Sequence, residues 1–132
     1  MFHLDTNIIS DLVRNPSGHS ARRLAEVGIG NVSTSTIVAG ELRYGYLKNG
    51  MERRAERVET ALERIGILPI DEAVAAEYGV IRRALEAGGM MIGQNDLWIA
   101  AHARTLNATL VTANEREFRR VEGLAVENWL AA

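Results

Sequence analysis

The sequence turns on Phe2-His3-Leu4-Asp5-Thr6-Asn7-Ile8-Ile9, where a short apolar run ends at once in an acid, a hydroxyl and an amide. In an open α/β sheet, ligands bind just beyond the carboxyl ends of the strands. An acid one residue past a first strand therefore stands where such folds do their chemistry. Asp5 also suits the plainer task of capping the next helix, since Asp and Thr are both good N-cap residues. Alone, the stretch favours the cap; two further acids shift the balance towards a site.

Working outward, residues 8–13 read as a helix stopped by Asn15-Pro16-Ser17-Gly18. Residues 20–27 read as a second, with Ala21, Leu24, Ala25 and Val27 inward. Gly28 and Gly30 precede a Val/Ser/Thr strand at 31–35. A helix over 36–47 puts Ile37, Val38, Leu42 and Gly45 or Tyr46 on one face. The 51–65 segment mixes acids and bases at helical spacing around a thin stripe of Ala55, Val58, Leu62 and Ile65, a solvated helix. A strand at 67–70 leads to a long helix at 72–87, with Val74, Tyr78, Ile81 and Leu85 inward and Gly88-Gly89 ending it. A helix at 95–106 and strands at 109–112 and 124–126 complete the pattern. Short strands alternating with helices argue for an α/β fold around a parallel sheet. At 132 residues, without repeat, low-complexity tract or linker, the chain is expected to form one domain.

Composition narrows the function. A hydrophobic share of 47% argues against global disorder, and the absence of cysteine excludes disulfides and thiolate metal sites. No leader-like start and no membrane-length apolar run is present, so a soluble, cytoplasmic protein without membrane contact is expected. Of the 15 basic residues 14 are arginine, whose planar fork suits phosphate or carboxylate partners. A GC-rich genome would write the same bias, and the net charge of −2 shows no basic excess.

Two acids sit where a helix should be apolar. Glu41 follows Ile37 by four residues and Val38 by three, which puts it on or beside the apolar face. Asp96 shares a face with Ile99, Ala100 and Ala103, although it also opens its helix, where the dipole favours an acid. Burying such an acid is costly unless it is paired or bound to metal. Two carboxylates about 5 Å apart repel by roughly 3 kcal/mol at an effective dielectric near 20. If Asp5, Glu41 and Asp96 converge, the total exceeds what most domains can spare. A divalent cation removes that repulsion, and an all-oxygen set selects Mg²⁺ or Mn²⁺ over zinc. Phosphodiester hydrolysis is the natural chemistry of such a site. His3, His19 and His102 are dispersed, and His102 reads as structural. Trp98 and Trp129 read as packing or dimer contacts, and there is neither a glycine-rich phosphate loop nor a GxSxG nucleophile.

Four blocks, in order, carry a resemblance. Leu4-Asp5-Thr6-Asn7, TIVAGELRYG at 36–45 and GQNDLWIAAHA at 93–103 resemble the signature blocks of PIN-domain ribonucleases. VTANEREFRRVEGLAVENW at 111–129 is similar to the end of VapC-type toxins. The resemblance implies one domain over 1–132, a PIN-like three-layer α/β/α sandwich with a short, mainly parallel central sheet. It implies an Mg²⁺ pocket, with Mn²⁺ able to substitute, in which Asp5, Glu41 and Asp96 match the family's three main acids. The family's frequent fourth acid falls at Asn114, a departure that puts two-metal occupancy in doubt; Glu117, three residues on, could supply the missing charge. Asn7 and Thr112 are expected to position a ligand or water.

The implied function is an endoribonuclease toxin of a type II toxin–antitoxin system, cutting RNA such as tRNA and so stopping translation and growth. Its implied partners are a VapB-like antitoxin that places an arginine among the acids, operator DNA through that antitoxin only, and a second copy of the chain. Ile9, Leu12, Val38, Tyr46 and Leu47 are expected to exceed one core and help form the homodimer. The rival readings are a PIN-like binding module that has lost catalysis, favoured by Asn114, and a DNA nuclease of the same fold.

Overall fold

Five parallel strands, Phe2–Leu4 (β1), Val32–Ser35 (β2), Ile67–Leu68 (β3), Thr109–Val111 (β4) and Val126–Glu127 (β5), pair in the order β3-β2-β1-β4-β5. This is a computed structural model, and it describes residues 1–130; the last two residues of the expected domain lie outside the described residues. Parallel neighbours need crossover connections, which the helices supply. They are Thr6–Arg14 (α1), His19–Val27 (α2), Thr36–Lys48 (α3), Glu52–Ile65 (α4), Glu72–Ala87 (α5), Gln94–Thr105 (α6) and Glu115–Phe118 (α7). The helices pack in two groups, α1 with α2 and α4, and α5 with α6; right-handed crossovers, the rule for parallel strands, put such groups on opposite faces of the sheet. The order runs outward from β1 in both directions, so the chain reverses between β1 and β4. That reversal is where open α/β sheets bind ligands.

Local chemistry sets most boundaries. Asp5, Ser35 and Asp71 each cap a helix by accepting a backbone N–H, from Thr6, Val38 and Val74 respectively. Gly66 ends α4 at φ +92°, a conformation that favours glycine. Pro69 follows β3, cutting the expected 67–70 strand to two residues, because proline offers no N–H to a ladder. The core gathers Leu4, Ile8, Ile9, Leu62, Ile81, Leu97, Ile99, Leu110 and Phe118, all nearly or wholly buried. Trp129 is buried against Phe2 at 5.5 Å between ring centroids and is therefore a packing residue.

The structure corrects two expectations. On α2 only Ser20 is buried; Ala21, Leu24 and Ala25 line an open groove against α1 and α4, so periodicity found the face but not what covers it. Ile9 and Val38 are wholly buried and cannot serve a dimer surface, whereas Leu47 is 73% exposed and Tyr44 joins it outside. Glu59 of α4 pairs across to Arg43 (2.9 Å) and Tyr46 (2.9 Å) on α3, tying the two helices together. Among the described residues no helix is long and apolar enough to cross a membrane.

Candidate active site

The site begins where β1 and β4 end side by side. The Asp5 N–H donates to the Val111 carbonyl at 2.9 Å, extending the ladder by one rung and fixing the backbone there. The buried Asp5 carboxylate accepts from the Thr6 N–H through Oδ1 (2.7 Å) and from the Thr112 hydroxyl through Oδ2 (2.7 Å). Thr112 in turn accepts from the Asn114 N–H at 3.0 Å. Asn7 accepts the Ala113 N–H at 3.0 Å, clamping the start of α1 to the turn after β4. Asn7 and Thr112 thus hold the acid and its frame. Asp5 is at once the cap of α1 and the acid at the strand end, so its two readings are compatible.

Glu41 projects from α3, half-buried, and its Oε1 accepts the Thr6 hydroxyl at 2.8 Å. Asp96 sits in the first turn of α6, which runs down to the start of β4; its N-terminus therefore lies level with the ends of β1 and β4. Glu117 reaches the same place from α7, within hydrogen-bonding distance of Asp96. Asn114 takes another part: it is exposed and precedes α7 without a side-chain cap bond. The four carboxylates therefore come from four separate elements.

Electrostatics record the crowding. Burial pushes the Asp96 carboxyl from its ordinary 3.8 up to about 7, helped by Glu117 and by the charges of Asp5 and Glu41. Burial also raises Asp5, against the hydrogen bonds from Thr112 and Thr6, and Glu41 adds to the rise. Among the described residues no three acids or histidines close into a preformed cation cage. The carboxylates share a space without converging, as like charges do. The donor set nevertheless fits a hard divalent cation: it is all oxygen, and Asp96 retains a proton where positive charge is wanted.

The histidines lie apart from this chemistry. His3 and His102 pack edge to face at 4.5 Å beneath the site, and His3 Nδ1 meets the Ser33 hydroxyl at 2.9 Å. Burial holds His3 down at about 3, with His102 contributing, so it stays neutral. Two things escaped the sequence reading: α7, too short for a periodic signal, and the Thr6 hydroxyl, whose partner lies 35 residues away.

Comparison with known proteins bears on this arrangement. The PIN domain family model matches residues 3–124. The chain is 36% identical over 131 residues to Ribonuclease VapC2 of Rickettsia felis, covering 98% of each. It is 39% identical over 129 residues to the tRNA(fMet)-specific endonuclease VapC of Shigella flexneri, covering 97% of each. Its fold matches a chain in the crystal structure of DNA-bound VapBC from Salmonella typhimurium with a TM-score of 0.90 at 34% identity, covering 97% of each.

Proposed function

Because the chain belongs to the PIN-domain family and stands among its VapC ribonucleases, we propose that it is an Mg²⁺-dependent endoribonuclease, Mn²⁺ substituting, and the toxin of a type II toxin–antitoxin pair. One observation supports this above all: burial first, and then the neighbouring Glu117, Asp5 and Glu41, let the Asp96 carboxyl keep a proton to about pH 7. Asp5, Glu41 and Asp96 would hold the cation, with Glu117 supplying the fourth charge in place of Asn114. When bound, the cation neutralises the acids and supplies an acidified water for attack on a phosphodiester. The chain's own residues do the rest. Thr112 and the Thr6 N–H fix Asp5, and Asn7 holds the turn that delivers α7. With Glu117 beside Asp96, the departure at Asn114 lends less support to a binding-only module.

The substrate class is RNA; the name of the Shigella relative makes tRNA the first candidate. Its cleavage would stop translation and growth in the cytoplasm. The partner is a VapB-like antitoxin, as in the VapBC complexes that the fold matches, and operator DNA is reached only through it. Two features suit such a partner. The acids accept an arginine that relieves their repulsion. The groove between α1, α2 and α4, about 830 Å³ and lined by Leu12, Leu24 and Ala61 beside Arg57 and Arg64, suits an amphipathic helix with acidic edges. A homodimer would cover the exposed Tyr44, Leu47, Val80 and Met90.

Protein freed of antitoxin is expected to cut RNA with Mg²⁺ or Mn²⁺ and to stop in EDTA. Asp5→Asn should lower the rate by about 100-fold or more. Equal cleavage by wild type and Asp5→Asn would sink the reading, and a preference for DNA over RNA would move it to a DNA nuclease.

A further inference from the structure

We propose that Thr6 is the positioning residue for Glu41, setting the aim of that carboxylate by a hydroxyl hydrogen bond; this rests on the metal-nuclease reading above. Thr6 has two donors, and each serves a different acid. Its N–H donates to Asp5 Oδ1 at 2.7 Å, and its hydroxyl donates to Glu41 Oε1 at 2.8 Å. The two acids repel, and they stand on elements that sequence does not join closely: Asp5 follows β1, while Glu41 is in the second turn of α3. Left to itself, the half-exposed Glu41 side chain would rotate towards water and away from Asp5. A single hydroxyl proton shared with Oε1 opposes that rotation and leaves Oε2 free to face the space in front of Asp5.

Threonine suits the task for a definite reason. Its β-branch restricts χ1, most of all inside a helix, so the hydroxyl has few directions to explore. The residue sits in the first turn of α1, where its neighbour Asp5 is already locked by Thr112 and the Val111 carbonyl. Thr6 thereby transmits the rigid end of the sheet to an acid on a different helix. A hydrogen-bonded partner behind a ligand commonly changes metal affinity 10–100-fold.

The test compares Thr6→Val, which keeps the shape and removes the donor, with Thr6→Ser, which keeps the donor. Mn²⁺ binding is read by the electron paramagnetic resonance signal of the free ion. Thr6→Val should bind Mn²⁺ about tenfold more weakly, and Thr6→Ser should return to within about threefold of wild type. Thr6→Val added to Glu41→Ala, which removes the acceptor, should lose little more than Glu41→Ala alone. In EDTA, a double-mutant cycle of the same two changes should show roughly fivefold coupling in the unfolding equilibrium constant. Wild-type affinity in Thr6→Val, or full additivity with Glu41→Ala, would overturn the assignment of Thr6 alone. A wild-type protein that binds no Mn²⁺ would overturn the nuclease reading, and the role of Thr6 with it.

Discussion

Replacing Asp96 by asparagine should make the metal-free protein more stable at pH 8 while destroying its cation site. The folded carboxyl titrates near 7 against an ordinary 3.8. At about 1.4 kcal/mol per pH unit, that gap of roughly three units corresponds to about 4 kcal/mol of strain in the ionised state. Asp96 is only part-buried, so solvent screening cuts the figure by about half, and the α6 N-terminus returns up to about 1 kcal/mol to an acid there. The net gain for Asp96→Asn is therefore about 1 to 2 kcal/mol.

The sign follows from the proton count. The raised folded value means the native state holds a proton that the unfolded chain has lost between about pH 4 and pH 7. Wild-type stability in EDTA must fall as pH rises through that window and level off above it; Asp96→Asn should lack this component of the slope. Urea unfolding at pH 5 and pH 8, with EDTA and then with Mg²⁺, reads all of this. In a thermal melt in EDTA at pH 8 the variant's midpoint temperature should lie about 4–8 °C above wild type. Mg²⁺ should reverse the order by stabilising wild type alone. A variant less stable than wild type at pH 8 in EDTA would refute the claim that the fold disfavours the ionised Asp96, through burial and neighbouring acids.

Two further outcomes are expected. Phe118→Ala empties a wholly buried position and should cost about 3–5 kcal/mol in urea unfolding; it should also depress cleavage, because Glu117 precedes it on α7. Wild-type protein should scatter light as about twice 14.5 kDa, and Leu47→Glu with Val80→Glu should return it to a monomer at unchanged unfolding midpoint; a monomeric wild type would remove the dimer from the function.

What could be read from sequence was whatever local chemistry decides. The α5 boundaries follow from Asp71 at one end and Gly88-Gly89 at the other, and the expected span matches the observed one. The Asp5 turn, Glu41 and Asp96 were visible because acids interrupt apolar faces; in the structure their charges reach one another, though among the described residues they close no cation cage. What escaped depended on tertiary context. The apolar side of α2 has the period of a core helix, yet periodicity carries no information about whether a neighbour covers it. Asn114 and Glu117 were both candidates for the fourth position because the single turn of α7 gives no pattern; its phase alone turns Glu117 towards Asp96. The Thr6–Glu41 bond spans 35 residues and needs the finished packing of α1 on α3.

The place of β1 at the centre of the sheet has a consequence for the order of events at the ribosome. β1 emerges first, but one of its two neighbours is β4, and the Thr112 hydroxyl that holds Asp5 lies 107 residues further along. Until that neighbour leaves the exit tunnel, β1 has an open edge, Asp5 has no clamp and Glu117 cannot reach the site. A nascent chain thus carries its first acid through nearly all of its synthesis without a working centre. If the finished chain cuts RNA, the topology itself shields the translating ribosome until release, and leaves an inhibitor a single folded species to capture. Chains stalled just after residue 108 should accordingly neither bind Mn²⁺ nor cut RNA, whereas the released chain does both.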